Sequence, residues 1–382
     1  MDDTRRNIPI SSPVVGDEEW RALLEPLSTG WLTQGPKVAA FESAFAARHG
    51  VKHALATTSC TTALHIILVA LGIGPGDEVI VPAFTWVATA NVVVHCGATP
   101  VLVDVDRSTY NILPEQVRVR VTERTRAIIA VHLFGLCADI DRIASCAPGI
   151  PIIEDAACAS GGAYKGRSAG SLGLAGAFSF HPRKTITTGE GGMVTTNDGK
   201  LAETINGLRN HGATVSEEQR HHGPAPHILP DFDLPGFNYR MTDLQGAVGL
   251  VQIGKLDSLI RERKKWAEYY NSHFMDVPWL SAPVVPDGYE HARQSYVCYV
   301  DEEKAPMPRN RIMDLLYKKG ISTRPGTHAV HMLGYYSKRF GFKPDDLPGA
   351  RDCDRFTIAL PLHNRMTGED FDFVVRAIKE IG

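Results

Sequence analysis

The chain has 382 residues, 43% of them hydrophobic and 22% charged, which excludes a disordered polyelectrolyte and favours two domains over three at roughly 100–200 residues each. Forty Lys and Arg stand against 43 Asp and Glu, a formal charge of −3, so no global positive field speaks for nucleic acid or an anionic membrane. A local basic pocket stays open.

The opening run MDDTRRNIPISSP has no apolar core and predicts no signal peptide. The longest apolar runs, such as Leu64–Leu71, are too short to cross a bilayer. The seven cysteines, at 60, 96, 137, 146, 158, 298 and 353, are odd in number, and no two show the two-residue gap of a zinc knuckle or redox pair. Buried thiols in a reducing, cytoplasmic compartment are expected, and no metal site.

In chain order, strands are expected at Ala54–Thr58, Glu78–Pro82, Pro100–Val105, Ala127–Leu133, Ile152–Asp155, Ala177–Phe180 and Met193–Thr196. Helical patterns lie between them at Pro36–His49, Thr61–Leu71, Trp86–Cys96, Ala138–Cys146 and Leu201–Arg209. Strands alternating with helices argue for an α/β fold with a mostly parallel sheet covered on both faces. Ligands in such sheets bind beyond the carboxyl ends of the strands. The stretch Val215–Pro235 has no periodicity and reads as a loop that either moves or covers a site. A long helix follows over Met241–Phe274. After it come a strand at Tyr296–Val300 and helices at Arg309–Lys319 and Thr367–Ile381, as in a smaller α+β domain. The division expected is 1–250 and 251–382.

Four strand ends carry chemistry. After the first strand, Ser59-Cys60-Thr61-Thr62 opens a helix, whose N-terminal amides suit a phosphate; ordinary N-capping explains the same residues. After the second, Trp86 could stack on a flat ring or simply belong to the core. The strand Ile152–Asp155 ends in two carboxylates, which are costly to bury unless a helix cap or a protonated ring nitrogen satisfies them. The fourth end leads to Lys184, in a polar stretch flanked by Gly176, Gly189, Gly191 and Gly192. A lysine with a depressed pKa in a pocket can form a Schiff base, though most lysines are surface groups. Together, a phosphate cup, an aromatic, a carboxylate and a lysine fit the inventory of pyridoxal 5'-phosphate (PLP).

The sequence resembles the DegT/DnrJ/EryC1/StrS family of sugar aminotransferases, which have the aspartate aminotransferase fold (fold type I). The likeness runs from Gly30-Trp31-Leu32-Thr33-Gln34-Gly35-Pro36 through Gly74-Pro75-Gly76-Asp77-Glu78, Ile153-Glu154-Asp155-Ala156-Ala157, Phe178-Ser179-Phe180-His181 and Thr188-Gly189-Glu190-Gly191-Gly192 to Asn238-Tyr239-Arg240 and Leu360-Pro361-Leu362-His363. The resemblance implies a large PLP-binding domain with a seven-stranded sheet and a small C-terminal domain. Lys184 matches the Schiff-base lysine that shuttles a proton, and Asp155 the partner of the ring nitrogen. Trp86 matches the stacked aromatic, and Cys60, Thr61 and Ser179 match phosphate contacts. Asn238 matches a phosphate contact donated by a neighbouring subunit, which implies a homodimer with shared sites. Cys60 stands where the family has Gly, and Cys158 where it has Gln or His near the ring. Candidate substrate contacts are Trp31, Thr33, His211, Arg240, Arg324 and His328; the two arginines could pair with a donor carboxylate or a diphosphate, or be ordinary salt-bridge residues.

The resemblance implies transfer of an amino group from an amino acid, usually glutamate, to a keto sugar, nucleotide-linked in this reading, with PLP cycling through pyridoxamine phosphate (PMP). Two alternatives remain at this stage: a PLP/PMP-dependent sugar dehydratase, whose members replace the lysine, and a non-enzymatic PLP-binding regulator.

Overall fold

The computed structural model describes residues 6–214, 229 and 231–382. Most of the loop expected at Val215–Pro235 therefore lies outside the described residues.

Seven strands form the main sheet: His53–Thr57 (β1), Glu78–Pro82 (β2), Thr99–Val103 (β3), Thr125–Val131 (β4), Ile152–Asp155 (β5), Ala175–Ser179 (β6) and Gly192–Thr196 (β7). Their spatial order is β1–β7–β6–β5–β4–β2–β3. The run β6–β5–β4–β2–β3 is parallel, and β7 alone runs antiparallel to its neighbours. The expected α/β, mostly parallel seven-stranded sheet is what the chain forms. Several strands start one or two residues before the sequence pattern does, because ladder pairing extends past the apolar run.

Side-chain alternation splits each strand between two cores. In β2, Val79 and Val81 enter one face and Ile80 the other; in β4, Ala127, Ile129 and Val131 oppose Ile128 and Ala130. Helices Cys60–Ala70, Ala88–His95 and Gly199–Leu208 cover the first face. Helices Pro36–His49 and Ile140–Cys146, with the first half of Asp243–Phe274, cover the second. The expected helix at Trp86–Cys96 begins only at Ala88. Phe84–Thr85 instead pairs with His328–Ala329, and this extended pairing keeps Trp86 out of the helix.

Two long helices meet through a cap and a gap. The buried Asp243 carboxylate accepts from the amides of Gly35, Lys37 and Val38, the unsatisfied donors that open Pro36–His49. At Gly246, a Cβ would come within 2.6 Å of the Val38 amide nitrogen, so glycine lets the two backbones touch.

An antiparallel sheet of Leu280–Ser281, Tyr296–Val300 and Thr357–Leu360 carries a third core, with helices Arg309–Lys318 and Gly368–Lys379. The second half of Asp243–Phe274 joins it through Ala267, Tyr270 and Phe274. Tyr336, Ala350 and Cys353 pack instead on the large-sheet core. The C-terminal segment is thus tied to the first part of the chain at two places.

His49 is fully buried, stacks on Phe45 and has an unpartnered Nε2; burial pushes its pKa down to about 4. Its protonation is favoured in the unfolded chain, so its contribution to stability is present above pH 6.5 and lost as pH falls towards 4. Over that window it amounts to roughly 3 kcal/mol at 1.36 kcal/mol per pKa unit. The urea midpoint should fall between pH 7 and pH 5, and fall less in His49→Leu; an equal fall in both would rule out His49 as a source.

Candidate active site

The register of the sheet aligns the strand ends. Thr57 of β1 pairs with Gly192 of β7, which pairs with Ser179 of β6, and Ala177 of β6 pairs with Asp155 of β5. Residues that leave these strands therefore converge over one edge. They line a cavity of about 640 Å³, a size suited to one or two small ligands.

At one end is the first turn of helix Cys60–Ala70. Ser59 is its N-cap: its hydroxyl accepts from the Thr62 amide, and Thr62 Oγ1 accepts from the Ser59 amide. N-capping thus uses the Ser59 and Thr62 hydroxyls. The Thr61 hydroxyl and the amides of Cys60 and Thr61 take no part in the cap. Thr61, Cys60 and Ser179 all line the cavity. Cys60 occupies the first helical position, with no left-handed φ, so the backbone accepts a side chain where the family has glycine. Gly192 cannot be replaced so easily. A Cβ there would lie 2.3 Å from the Ser59 carbonyl carbon and 2.6 Å from the Cys60 amide nitrogen.

Asp155 is 6% exposed. It accepts from Thr89 Oγ1 at 2.7 Å and the Ala157 amide at 3.2 Å, and Cys60 Sγ lies 3.9 Å away. It makes no salt bridge with a described residue, which leaves a cationic partner to be supplied. Its neighbour Glu154 faces the opposite side of the sheet and is completely buried. There it accepts from the amides of Gly170, Leu172 and Gly173 and meets His132 Nε2 at 2.8 Å. The Ala138 amide donates to His132 Nδ1, so Nε2 carries the proton that bonds Glu154.

Lys184 sits in the excursion between β6 and β7, with its amide bonded to the His181 carbonyl at 2.8 Å. Its Nζ lies 3.2 Å from Cys158 Sγ. Burial works to lower the lysine pKa, but Cys158, Cys60 and Asp155 outweigh it, and the net direction is upward. The depressed pKa expected of a Schiff-base lysine is not what these side chains produce, because Cys158 beside the amine, with smaller contributions from Cys60 and Asp155, favours its charged form. Burial holds the Cys60 thiol well above its ordinary value and therefore neutral. Trp86 is 60% exposed and forms a wall of the cavity, its ring 5.8 Å from that of His328.

Nine of the fourteen residues singled out in the sequence thus share the cavity: Cys60, Thr61, Trp86, Asp155, Cys158, Ser179, Lys184, Arg324 and His328. Trp31, Thr33, His211, Asn238 and Arg240 do not line it. Asn238 is exposed and bridges to Asn210, and Arg240 bonds Asn210 at 2.6 Å. Residues not foreseen include Thr89, which orients Asp155; Arg183, on the cavity wall; and the His132–Glu154 pair. Among the described residues, no group of His, Cys, Asp or Glu could hold a metal ion.

The donor set fits PLP: first-turn amides with hydroxyls for a phosphate, an aromatic platform, a buried carboxylate with no salt bridge to a described residue, and a lysine in the same cavity. The comparison with known proteins agrees. The model of the DegT/DnrJ/EryC1/StrS aminotransferase family matches residues 13–379. The chain belongs to this family. It is 42% identical over 377 residues to the spore coat polysaccharide biosynthesis protein SpsC of Bacillus subtilis, covering 98% of this chain and 97% of that protein. Among solved structures, Spr1654 of Streptococcus pneumoniae, assigned as a sugar aminotransferase and solved in its PMP form, superposes with a TM-score of 0.91 at 30% identity, covering 98% of this chain and 99% of that one. Helicobacter pylori PseC, an aminotransferase involved in pseudoaminic acid biosynthesis, gives 0.90 at 28% identity, with 98% and 99% covered. The chain is a PLP-dependent sugar aminotransferase. Among its described residues, no helix is long and apolar enough to cross a membrane.

Gly192→Ala should push the Ser59–Cys60 backbone out of place, at a cost of about 1–3 kcal/mol. We expect weaker PLP retention on dialysis, with the fold kept as judged by circular dichroism. Undiminished retention would show that Gly192 does not shape the cup.

Proposed function

We propose that the chain transfers the amino group of an amino-acid donor, glutamate, to the carbonyl carbon of a nucleotide-linked keto sugar. The observation that carries this reading is the placing of Lys184, Asp155 and Trp86 on the walls of one cavity whose far end is a helix N-terminus. When bound, PLP supplies an aldehyde that captures amines and a ring that accepts the electrons of a deprotonated carbon.

The chain's residues divide the remaining work. The Cys60 and Thr61 amides, the Thr61 hydroxyl and Ser179 bind the phosphate. Asp155, oriented by Thr89, keeps the ring nitrogen protonated. Trp86 covers one ring face and keeps water from it. Lys184 Nζ takes a proton from the donor carbon and, in the second half of the reaction, delivers one to the sugar carbon. Cys158 stands beside Lys184 Nζ, where the family has a stronger hydrogen-bonding group.

Asn238, Trp31, Thr33, His211 and Arg240 lie off the chain's own cavity. That supports a homodimer in which these residues complete the site of the partner copy. A dehydratase reading is opposed by the presence of Lys184, and a purely regulatory one by Lys184 and Asp155 lining one cavity. The seven cysteines, all free, support a reducing, cytoplasmic compartment.

Proton transfer by a placed side chain contributes about 10²–10⁴-fold. Lys184→Ala should therefore lose turnover by at least about that factor, together with the absorption band of the lysine-bound cofactor. An unchanged spectrum would sink the assignment. The shared-site reading has its own test. Refolding a mixture of Lys184→Ala and Asn238→Ala chains should give more activity than the two variants assayed apart, since one site of each hybrid is intact. No gain from mixing would place Asn238 outside the partner's site. A panel of keto sugars with and without a nucleotide, offered to the PMP form, identifies the acceptor.

A further inference from the structure

Lys184 stands on a chain excursion, and a flexible four-carbon side chain reaches a defined point only if its base is fixed. The peptide group that joins Arg183 to Lys184 is held at both of its polar atoms. The Lys184 amide donates to the His181 carbonyl at 2.8 Å, within the excursion. The Arg183 carbonyl accepts from Gln294 Nε2 at 3.0 Å, across 111 positions of the chain. A planar peptide bonded at both ends cannot swing. Gln294 therefore helps to set the direction in which the Lys184 side chain leaves the backbone. Further along, the excursion is tied to the long helix, where Gln252 Oε1 accepts from the Thr187 amide and Gln245 Nε2 donates to the Glu190 carbonyl. Gln294 belongs instead to the lead-in to strand Tyr296–Val300 of the second sheet.

Gln294 is itself braced. Ser295 Oγ donates to its Oε1 at 2.9 Å, which leaves Nε2 for the Arg183 carbonyl. Its backbone carbonyl accepts from Arg263 Nη1 at 3.1 Å, and the same nitrogen reaches the carbonyls of Arg293 and Leu362 at 3.3 and 3.0 Å. Arg263 is 4% exposed, and its described bonds all go to neutral carbonyl oxygens, Asn364 Oδ1 at 2.8 Å being the fourth. A buried cation with no carboxylate bonded to it is costly to keep. What it fixes here are two segments of the cavity wall, at Gln294 and Leu362. Arg293, just before, has a φ of 52°, a left-handed conformation uncommon outside glycine. Its amide donates to His291 Nδ1 at 2.9 Å. A strained turn, a buried guanidinium and a hydroxyl thus converge on one glutamine side chain.

We propose that Gln294 is a positioning residue for amino transfer: by bonding the Arg183 carbonyl it aims Lys184 Nζ at the carbon whose proton it moves. The proposal rests on the proton-carrying role given to Lys184 above.

Gln294→Glu keeps the length and the acceptor for Ser295 and replaces only the donor; Gln294→Met removes both. In stopped-flow mixing of the PLP-loaded enzyme with L-glutamate, each variant should lose about tenfold in limiting rate, with the half-saturating concentration within about twofold of wild type. The slowing falls on the proton step, so glutamate deuterated at its α-carbon should show a larger isotope effect in the variants. Circular dichroism in the absorption band of the lysine-bound cofactor reads the same displacement without turnover and should change in amplitude, while the melting temperature holds. Should either Gln294 variant fail to fold, Ser295→Ala, which leaves the glutamine unbraced, decides by a smaller loss of the same kind. Rates, isotope effects and dichroism equal to wild type would overturn the proposal. So would a raised half-saturating concentration at unchanged limiting rate, which would make Gln294 a donor contact. If glutamate leaves the wild-type cofactor unconverted, the donor reading fails and the dichroism alone decides Gln294. If Lys184→Ala keeps the cofactor band, the role of Lys184 fails and the proposal with it.

Discussion

A carboxylate buried completely at the end of a central strand anchors the arrangement. Glu154 is removed from water, and an uncompensated charge there would cost several kcal/mol. Three amides of the turn 170–173 and the His132 ring satisfy it. The consequence is geometric as well as energetic. The turn that leads into β6 is clamped to β5, and β6 in turn carries Ser179 and the excursion that holds Lys184. Because side chains alternate along a strand, fixing Glu154 on one face fixes Asp155 on the other. The reactive carboxylate is aimed by a neighbour that never meets the cavity.

On the cavity side the charges are graded rather than mixed. The deep end offers dipoles and hydroxyls. The middle holds the Asp155 carboxylate and the Lys184 amine, with the Cys60 thiol kept neutral beside the carboxylate. The mouth carries guanidiniums. Such a gradient orients a polar ligand along the cavity before any single contact forms, and fixed groups of this kind need no rearrangement as charge develops.

Much of this was legible in the sequence, for a physical reason. Alternating strands and helices put strand ends on one edge, so the sequence pattern alone brings Asp155, Trp86 and the 59–62 turn together. Lys184 was legible from its glycine-flanked setting and from family position. What could not be read was contact between distant segments. Arg324 was named without its neighbour Arg183, because nothing local links position 183 to 324. The His132–Glu154 pair has no sequence signature, because a histidine just past the end of an apolar strand shows no pattern. The pKa direction of Lys184 was missed because it depends on what faces the amine, not on burial alone. Trp31, Thr33, His211, Asn238 and Arg240 were named by family position, which does not say whose cavity a residue serves.

The helix Asp243–Phe274 has a mechanical meaning. Its 32 residues make an unbroken rod of about 48 Å at 1.5 Å per residue. One half is embedded in the main core and the other in the C-terminal core. No loop in this rod can act as a hinge, so relative movement of the two cores has to bend it or slide side chains along it, in small shear steps. The two cores also share their unfolding. Melting either one strips the cover from half of the helix and weakens its grip on the other, so the second sheet is a brace for the first and not an appendage.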